Sequence, residues 1–158
     1  MARQKSFNLS LRNLTYRLRK FSDILDEELY YLIDKYSDVI IAMVTENQLY
    51  GLGENGKRVP IASYAPYAPR TIKKKIRKGQ PFDRVTLRDT GKFYESFIVV
   101  PGAKGFSIQA KDFKAKYLIP KYGDTIMRLS DDNLKRLLHE YIRPELVKRL
   151  KEKLINET

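Results

Sequence analysis

A glycine-rich run at positions 51–56, GLGENG, has the spacing of a nucleotide-binding loop. In such a loop the backbone amides hold a pyrophosphate, which requires a strand before the glycines and a helix start directly after them. Here a helical pattern precedes the run, and the segment Lys57–Pro69 is unsuited to a prompt helix start. The run therefore predicts a turn after a helix, with no nucleotide cofactor.

The single histidine, His139, lies on a predicted C-terminal helix. Position 143, where a second helical metal ligand would stand, is Arg143, and the chain has no cysteine. A nucleophilic triad would need a serine beside His139, and nothing in the pattern places Ser96, Ser107 or Ser130 there. We therefore expect a surface or packing histidine, without a catalytic or metal-binding role.

The carboxylates that a nuclease metal site would use are Asp83, Asp89 and Glu95. Asp89 falls in an Arg-Asp-Thr-Gly sequence typical of a turn, in which an aspartate side chain bonds to its own backbone. Asp131 and Asp132 directly follow Ser130, which indicates a capped helix start and not an acid–base pair. The carboxylates predict turns and caps, so we expect no enzymatic activity and no metal.

Basic residues are concentrated in two blocks of a chain with a net charge of +12. The first 20 residues hold six basic side chains and no acidic one, and the segment Arg70–Lys78 is almost purely basic. Such blocks favour contact with nucleic acid or an acidic protein surface, and a solvated face is the alternative. The candidates for an interface or DNA contact are Arg12, Arg17, Arg19, Lys20, Arg70, Lys73, Lys74, Lys75, Arg77 and Lys78.

A long N-terminal helix must position the first block. Apolar residues recur every three or four positions from Leu14 to Met43, the pattern of one helical face. Ser22, followed by acidic residues, is also a plausible helix start. Either one helix runs from about residue 9 to residue 46, or a basic arm or helix over residues 1–21 precedes a single domain over residues 22–158. We favour a break or bend near Ser22.

The middle of the chain predicts a short helix and a hairpin. Residues 71–78 favour a helix that ends at Gly79, after an extended proline-containing stretch. Strands are predicted at Ser96–Val100 and Phe106–Ala110, joined by a turn. Tyr117–Ile119 fits either a third short strand or the end of a helix.

A C-terminal helix begins after Ser130. Its predicted buried face consists of Leu134, Leu137, Leu138, Tyr141 and Ile142. Pro144 lies inside the pattern and should end or kink this helix, because proline cannot donate the backbone hydrogen bond. A second helical stretch with a basic exposed face follows.

The composition is that of one folded domain, with 42% hydrophobic and 32% charged residues. The absence of cysteine excludes disulfides. We expect neither a membrane span nor a secretory signal, and synthesis in a cytoplasm. The predicted class is α+β: a long N-terminal helix packed on a small antiparallel sheet, with a Pro-kinked C-terminal helix.

One ordered set of segments is more specific than any single motif. It runs through LYGLGENGKRVP, YAPRTIKKKIRKG, VTLRDTGKFYESFIV and KYLIPKYGDTIMRLSDDNLKRLL, from the glycine-rich turn to the C-terminal helix. Its key residues are Leu87, Thr90, Gly91, Phe93, Ser96, Phe97, Tyr122 and Gly123. In order and spacing the set resembles the virion-morphogenesis and tail-completion proteins of tailed phages and their related neck proteins. The basic N-terminal block and the segment Asp124–Arg128 depart from that family's pattern.

The resemblance implies a structural virion protein at the head–tail junction or upper tail. Such a subunit would form a closed ring with copies of itself, adapt one ring to the next and seal the DNA channel. Its other partners would be neighbouring portal, neck or tail proteins and packaged DNA. The alternative is a free nucleic-acid-binding protein that uses the basic arm and loop, with an affinity that falls steeply with salt.

Overall fold

The computed structural model describes residues 11–51, 67–102 and 105–156. These residues form an α+β fold in which a long N-terminal helix packs on a two-stranded antiparallel sheet and on a C-terminal helix, as predicted. The helices are α1 (Leu11–Lys35), α2 (Ser37–Ala42), α3 (Pro69–Arg77), α4 (Lys92–Glu95), α5 (Ala115–Tyr122), α6 (Asp131–Arg136) and α7 (Arg143–Asn156). The strands are β1 (Phe97–Gly102) and β2 (Gly105–Ala110).

The N-terminal helix α1 crosses Ser22 without interruption, so the predicted break at this residue is wrong. Its apolar stripe keeps helical spacing on both sides of Ser22, and a serine inside a helix costs only a few tenths of a kcal/mol. The interruption lies instead at Tyr36, whose φ of −99° and ψ of 15° separate α1 from α2. Residues 1–10 lie outside the described ranges.

A π-helical segment, Met43–Tyr50, continues α2 and ends at Gly51. Gly51 has a φ of 83°, the left-handed conformation with which glycine commonly ends helices. The glycine-rich turn is thus confirmed at its first residue. Residues 52–66, which hold the rest of that turn and most of the proline-containing stretch, lie outside the described part of the chain.

The predicted hairpin is confirmed. β1 and β2 pair antiparallel, with Phe97 opposite Ala110 and Gly102 opposite Gly105. β1 begins one residue later than predicted, because Ser96 ends the preceding short helix α4. The segment 117–119 belongs to α5, which decides between the two alternatives in favour of a helix.

Ser130 caps the C-terminal helical region as predicted, since its Oγ accepts a hydrogen bond of 3.2 Å from the Asn133 amide. Helix α6 continues through π-helical turns, Leu137–Ile142, into α7. Pro144 does not end the helix. It is the second residue of α7 and lies where the π-helical hydrogen-bond pattern changes to the α-helical one, so the helical run continues past a residue that lacks a backbone donor.

Two adjacent clusters form the core. The first lies under the hairpin, and its buried side chains include Val44, Leu49, Phe93, Phe97 and Ile126. The second joins α1 and α2 to the C-terminal helices, and its buried side chains include Leu32, Ile40, Met43, Leu137 and Ile142. Ile108 of β2 packs against both clusters, so the sheet connects them.

The predicted buried face of the C-terminal helix is only partly correct. Leu137 and Ile142 are buried, whereas Leu134 is 38% and Leu138 is 46% exposed. Both exposed leucines lie on the side of α6 and its π-helical continuation that no described element covers.

Candidate interaction surface

The basic segment forms helix α3, as predicted. Pro69 occupies its first turn, and the helix ends before Gly79, whose φ is 60°. Four of its basic residues are exposed, and three of these recur at a spacing of three and four positions, which places the three on one face of the helix. These residues, Arg70, Lys73 and Arg77, are called the basic ridge below.

Lys75 is buried, so its predicted role as a surface contact is wrong. Its Nζ donates to Thr86 Oγ1 at 3.1 Å and to the Arg88 carbonyl at 2.8 Å, and it lies 5.0 Å from the centre of the Tyr67 ring. Burial lowers the pKa of Lys75, with the nearby Asp89 charge opposing the effect. This lysine holds α3 against the chain that leads to α4.

Lys74 and Lys78 are paired within the chain. Both ammonium groups bind the Asp89 carboxylate, Lys74 at a distance of 2.8 Å. These two hydrogen bonds lower the pKa of Asp89 to about 2. The expectation that the Asp89 side chain bonds to its own backbone is therefore wrong. It is an anchor for α3, and the described residues contain no group of three histidines, cysteines or carboxylates that could hold a metal ion.

Thr86 is the centre of this attachment, and no pattern in the sequence indicates its role. It is fully buried. Its amide donates to the Tyr67 hydroxyl at 2.9 Å, and its carbonyl accepts from the Tyr94 hydroxyl. Burial raises the pKa of Tyr94, which keeps that hydroxyl a donor. The hydroxyl groups of Tyr67 and Tyr94 thus hold the segment before α4 through the amide and the carbonyl of Thr86.

The residues that carry the phage resemblance build the turn, helix and strand at the centre of the fold. Leu87 has a φ of 56° and Gly91 a φ of 96°, which reverses the chain around the exposed Thr90. Phe93 and Phe97 are buried, with their rings edge to face at 5.1 Å.

The remaining residues of that set end helices. The Ser96 hydroxyl donates to the Phe93 carbonyl at 2.7 Å at the end of α4. Tyr122 packs on the first core cluster, and Gly123, with a φ of 82°, ends α5. Apart from the exposed Thr90, the residues of the set thus each have a part in the fold itself.

The N-terminal part of α1 exposes an apolar stripe. Leu14, Leu18 and Phe21 are 47%, 58% and 41% exposed, and they recur at the spacing of one helical face. The cations Arg17, Arg19 and Lys20 on the same turns are exposed as well. Arg12 lies on the same helix, but its side chain is outside the described part. This segment of α1, residues 14–21, is called the apolar-basic stripe below.

The other end of α1 is attached to α7 by ion pairs. Glu28 is buried and accepts from the Arg149 Nε and, at 2.7 Å, from Lys153. The hydrogen bond from Arg149 is the main cause that lowers the pKa of Glu28. One helical turn beyond, Glu145 of α7 binds Lys35 and the Tyr36 hydroxyl. These contacts hold the C-terminal half of α1, and none of the described elements covers the stripe.

An apolar groove of about 350 Å³ lies between the held half of α1, the end of the hairpin and the C-terminal helices. Leu29, Tyr30 and Ile33 of α1 form one wall, and Leu134 and Leu138 form the opposite wall. Phe106, with Gly102 and Gly105 at the ends of β1 and β2, also lines the groove, and so does Asp26 of α1. The remaining side chains that line it are Leu137 and Ile142.

Two further sequence expectations concern single features. His139 is exposed on the π-helical segment before α7. Among the described residues, no helix combines the length and the apolar character that crossing a membrane requires.

Comparison of the chain with known proteins finds no matching family model, no matching curated protein and no matching solved structure.

Proposed function

We propose that this chain is a structural protein of a tailed-phage virion, a ring-forming subunit at the head–tail junction or upper tail, without catalytic activity. The observation that carries the proposal is the apolar-basic stripe of α1. Three large apolar side chains on one helical face remain in contact with water in the isolated chain. Burial of such side chains contributes about 25 cal/mol for each Å² removed from water, so a partner surface that covers them is strongly favoured.

The resemblance to the neck and tail-completion proteins adds the kind of assembly. The residues that carry it, from Leu87 to Phe97, serve the turn, the short helix and the start of the hairpin. A family pattern made of structural residues is what a protein that acts by its shape requires. In this proposal the chain adapts one ring to the next by contacts that close around an axis.

The basic ridge on α3 supports an electrostatic role within the same assembly. Lys75 is buried, and the exposed Lys74 and Lys78 are paired with Asp89, whereas the basic ridge, Arg70, Lys73 and Arg77, is exposed. In a ring these cations would meet packaged DNA or an acidic neighbouring ring.

The same ridge favours a second candidate function, a free nucleic-acid-binding protein. Each phosphate contact by a cation releases counterions, so this function requires binding that weakens steeply with rising salt. The ring proposal requires self-association that does not depend on DNA.

The two candidates are separated by the mass of the purified protein, measured by light scattering at low and high salt, with and without duplex DNA. We expect one discrete oligomer of the 18.5 kDa chain, larger than a dimer, in the absence of DNA. A chain that remains monomeric at all concentrations and binds DNA with a steep salt dependence would replace the ring proposal with the second candidate.

A further inference from the structure

We infer that the apolar groove binds the apolar-basic stripe of a second copy of this chain. The inference rests on the proposed function and names its contact. In this arrangement each copy offers a stripe at one end of α1 and a groove beside the other end. Such a contact is heterologous, because the two surfaces that meet are different.

The occupant must come from another molecule. The stripe and one wall of the groove belong to the same uninterrupted helix, α1. From Leu18 to Tyr30 the helix rises about 18 Å, and it cannot fold back on itself. The chain's own stripe therefore stays outside its own groove.

The lengths of the two surfaces agree. From Leu14 to Phe21 the stripe extends about 10 Å along α1. The wall formed by the C-terminal helices, from Leu134 to Ile142, extends over about 12 Å. A helix face with apolar side chains three and four positions apart is the usual ligand of an apolar groove between helices.

The charges of the two surfaces are complementary. Residues 11–22 of α1 carry only basic charges. On the helices that form the groove, which are α1 from residue 23 to residue 35 and α6 with its π-helical continuation, seven exposed carboxylates outnumber three exposed cations. The carboxylates are Asp23, Asp26, Glu27, Asp34, Asp131, Asp132 and Glu140, and the cations are Lys35, Lys135 and Arg136. Asp26 lines the groove itself. Asp131 precedes Leu134 by three positions, which places it on the leucine side of α6. The stripe of a second copy would therefore place its cations beside these carboxylates and its own leucines against the apolar lining of the groove.

The test uses two variants of the full chain, each altered at an exposed position. Leu18→Glu places a charge in the middle of the stripe, and Leu138→Glu places a charge in the lining of the groove. Each variant therefore lacks one of the two apolar surfaces. We expect both variants to be monomeric at concentrations where the wild-type protein assembles, with unchanged circular dichroism. Val147→Glu is the matched control, since Val147 is 44% exposed on α7 and does not line the groove. This control should assemble as the wild-type protein does.

An equal mixture of the two variants provides the decisive measurement. The Leu18→Glu chain keeps its groove and the Leu138→Glu chain keeps its stripe, so one intact contact remains between them. We expect a 1:1 complex of twice the chain mass that grows no further, measured by native mass spectrometry. A mixture that stays monomeric would show that another segment occupies the groove and would overturn the inference.

Two other outcomes are separable. Assembly that persists in the Leu138→Glu variant would overturn the groove contact and leave the ring proposal intact. An example is the pairing of two α1 helices, which Leu18→Glu alone would disrupt. A wild-type protein that is monomeric at every concentration would overturn both the inference and the proposed function.

Discussion

The ammonium group of Lys75 lies 3.1 Å from the hydroxyl oxygen of Thr86, and both residues are buried. The pair joins α3 to the chain segment that leads into α4 and the hairpin. The pair also keeps Lys75 away from solvent, whereas the neighbouring basic residues are exposed. A lysine within a run of five basic residues in six positions is thereby a structural residue.

Replacing Lys75 with alanine should destabilise the protein by about 1–3 kcal/mol, because the buried Thr86 Oγ1 and the part-buried Arg88 carbonyl each lose a charged donor. Urea unfolding at neutral pH measures the change. The control is Lys73→Ala, an exposed lysine of the same helix, which should remain within about 0.5 kcal/mol of the wild type. Equal effects of the two substitutions would contradict the structural role of Lys75.

Asp89 should make the free energy of unfolding depend on pH in the acid range. Its ordinary pKa of 3.8 falls to about 2 in the folded chain, so the folded state prefers the ionised carboxylate. The resulting stability is complete above about pH 4 and is lost as the pH falls through about 2. Because the side chain is about half exposed, solvent screening reduces the gain to about 0.5–1 kcal/mol.

The measurement is the difference in unfolding free energy between the wild type and Asp89→Asn as a function of pH. We expect the difference at neutral pH to shrink between pH 4 and pH 2 and to be smaller at high salt. A difference that stays constant over that range would assign the effect of the substitution to something other than the ion pairs with Lys74 and Lys78.

Removal of the buried carboxylate that joins α1 to α7 should also destabilise the fold. Glu28→Gln loses two charge-assisted hydrogen bonds, and we expect a cost of about 1–2 kcal/mol because Arg149 and Lys153 can turn to solvent. The matched control is Glu27→Gln, since Glu27 is exposed and 3.6 Å from Lys153. Thermal unfolding of the two variants checks the prediction, and a greater loss in Glu27→Gln would contradict it.

Gly91 should tolerate no side chain without cost. Its φ of 96° is unfavourable for any residue with a Cβ, and a Cβ would stand 3.2 Å from Glu95 Oε1. The glutamate can move, so the backbone term dominates, and Gly91→Ala should destabilise the protein by about 1–2 kcal/mol. Gly102→Ala, where a Cβ would lie 3.9 Å from the Gly105 carbonyl oxygen, should cost less. Chemical denaturation of both variants tests the order of the two effects.

Sequence patterns correctly predicted those elements that are determined by residues close together in the chain. The hairpin follows from two alternating segments, and the Ser130 cap follows from its own neighbours. At Ser22 two local signals compete, a capping residue and a continuous apolar stripe. The helix continues through Ser22 because the packed part of α1 after Ser22 provides a nucleus, from which extension towards Leu11 adds one backbone hydrogen bond for each residue fixed. A local capping pattern does not reveal that nucleus.

The contacts that decide the role of each charge are not local. Glu28 and Arg149 are separated by 121 positions in the sequence, so no spacing pattern joins them. The burial of Lys75 depends on Thr86, which only tertiary structure brings to α3. For this reason the sequence identified the basic blocks but could not show which of their cations are buried or paired with a carboxylate. The groove was also missed, because its leucines were expected to be buried.

The uninterrupted course of α1 couples the orientation of its two ends. The ion pairs with α7 fix one end of this 25-residue helix, which is about 37 Å long. A single residue inserted between Phe21 and Asp26 would turn the stripe by about 100° around the helix axis and advance it by about 1.5 Å. The phase of one helix therefore sets the angle at which a bound neighbour would stand, and a change of phase would convert a closing series of contacts into an open spiral.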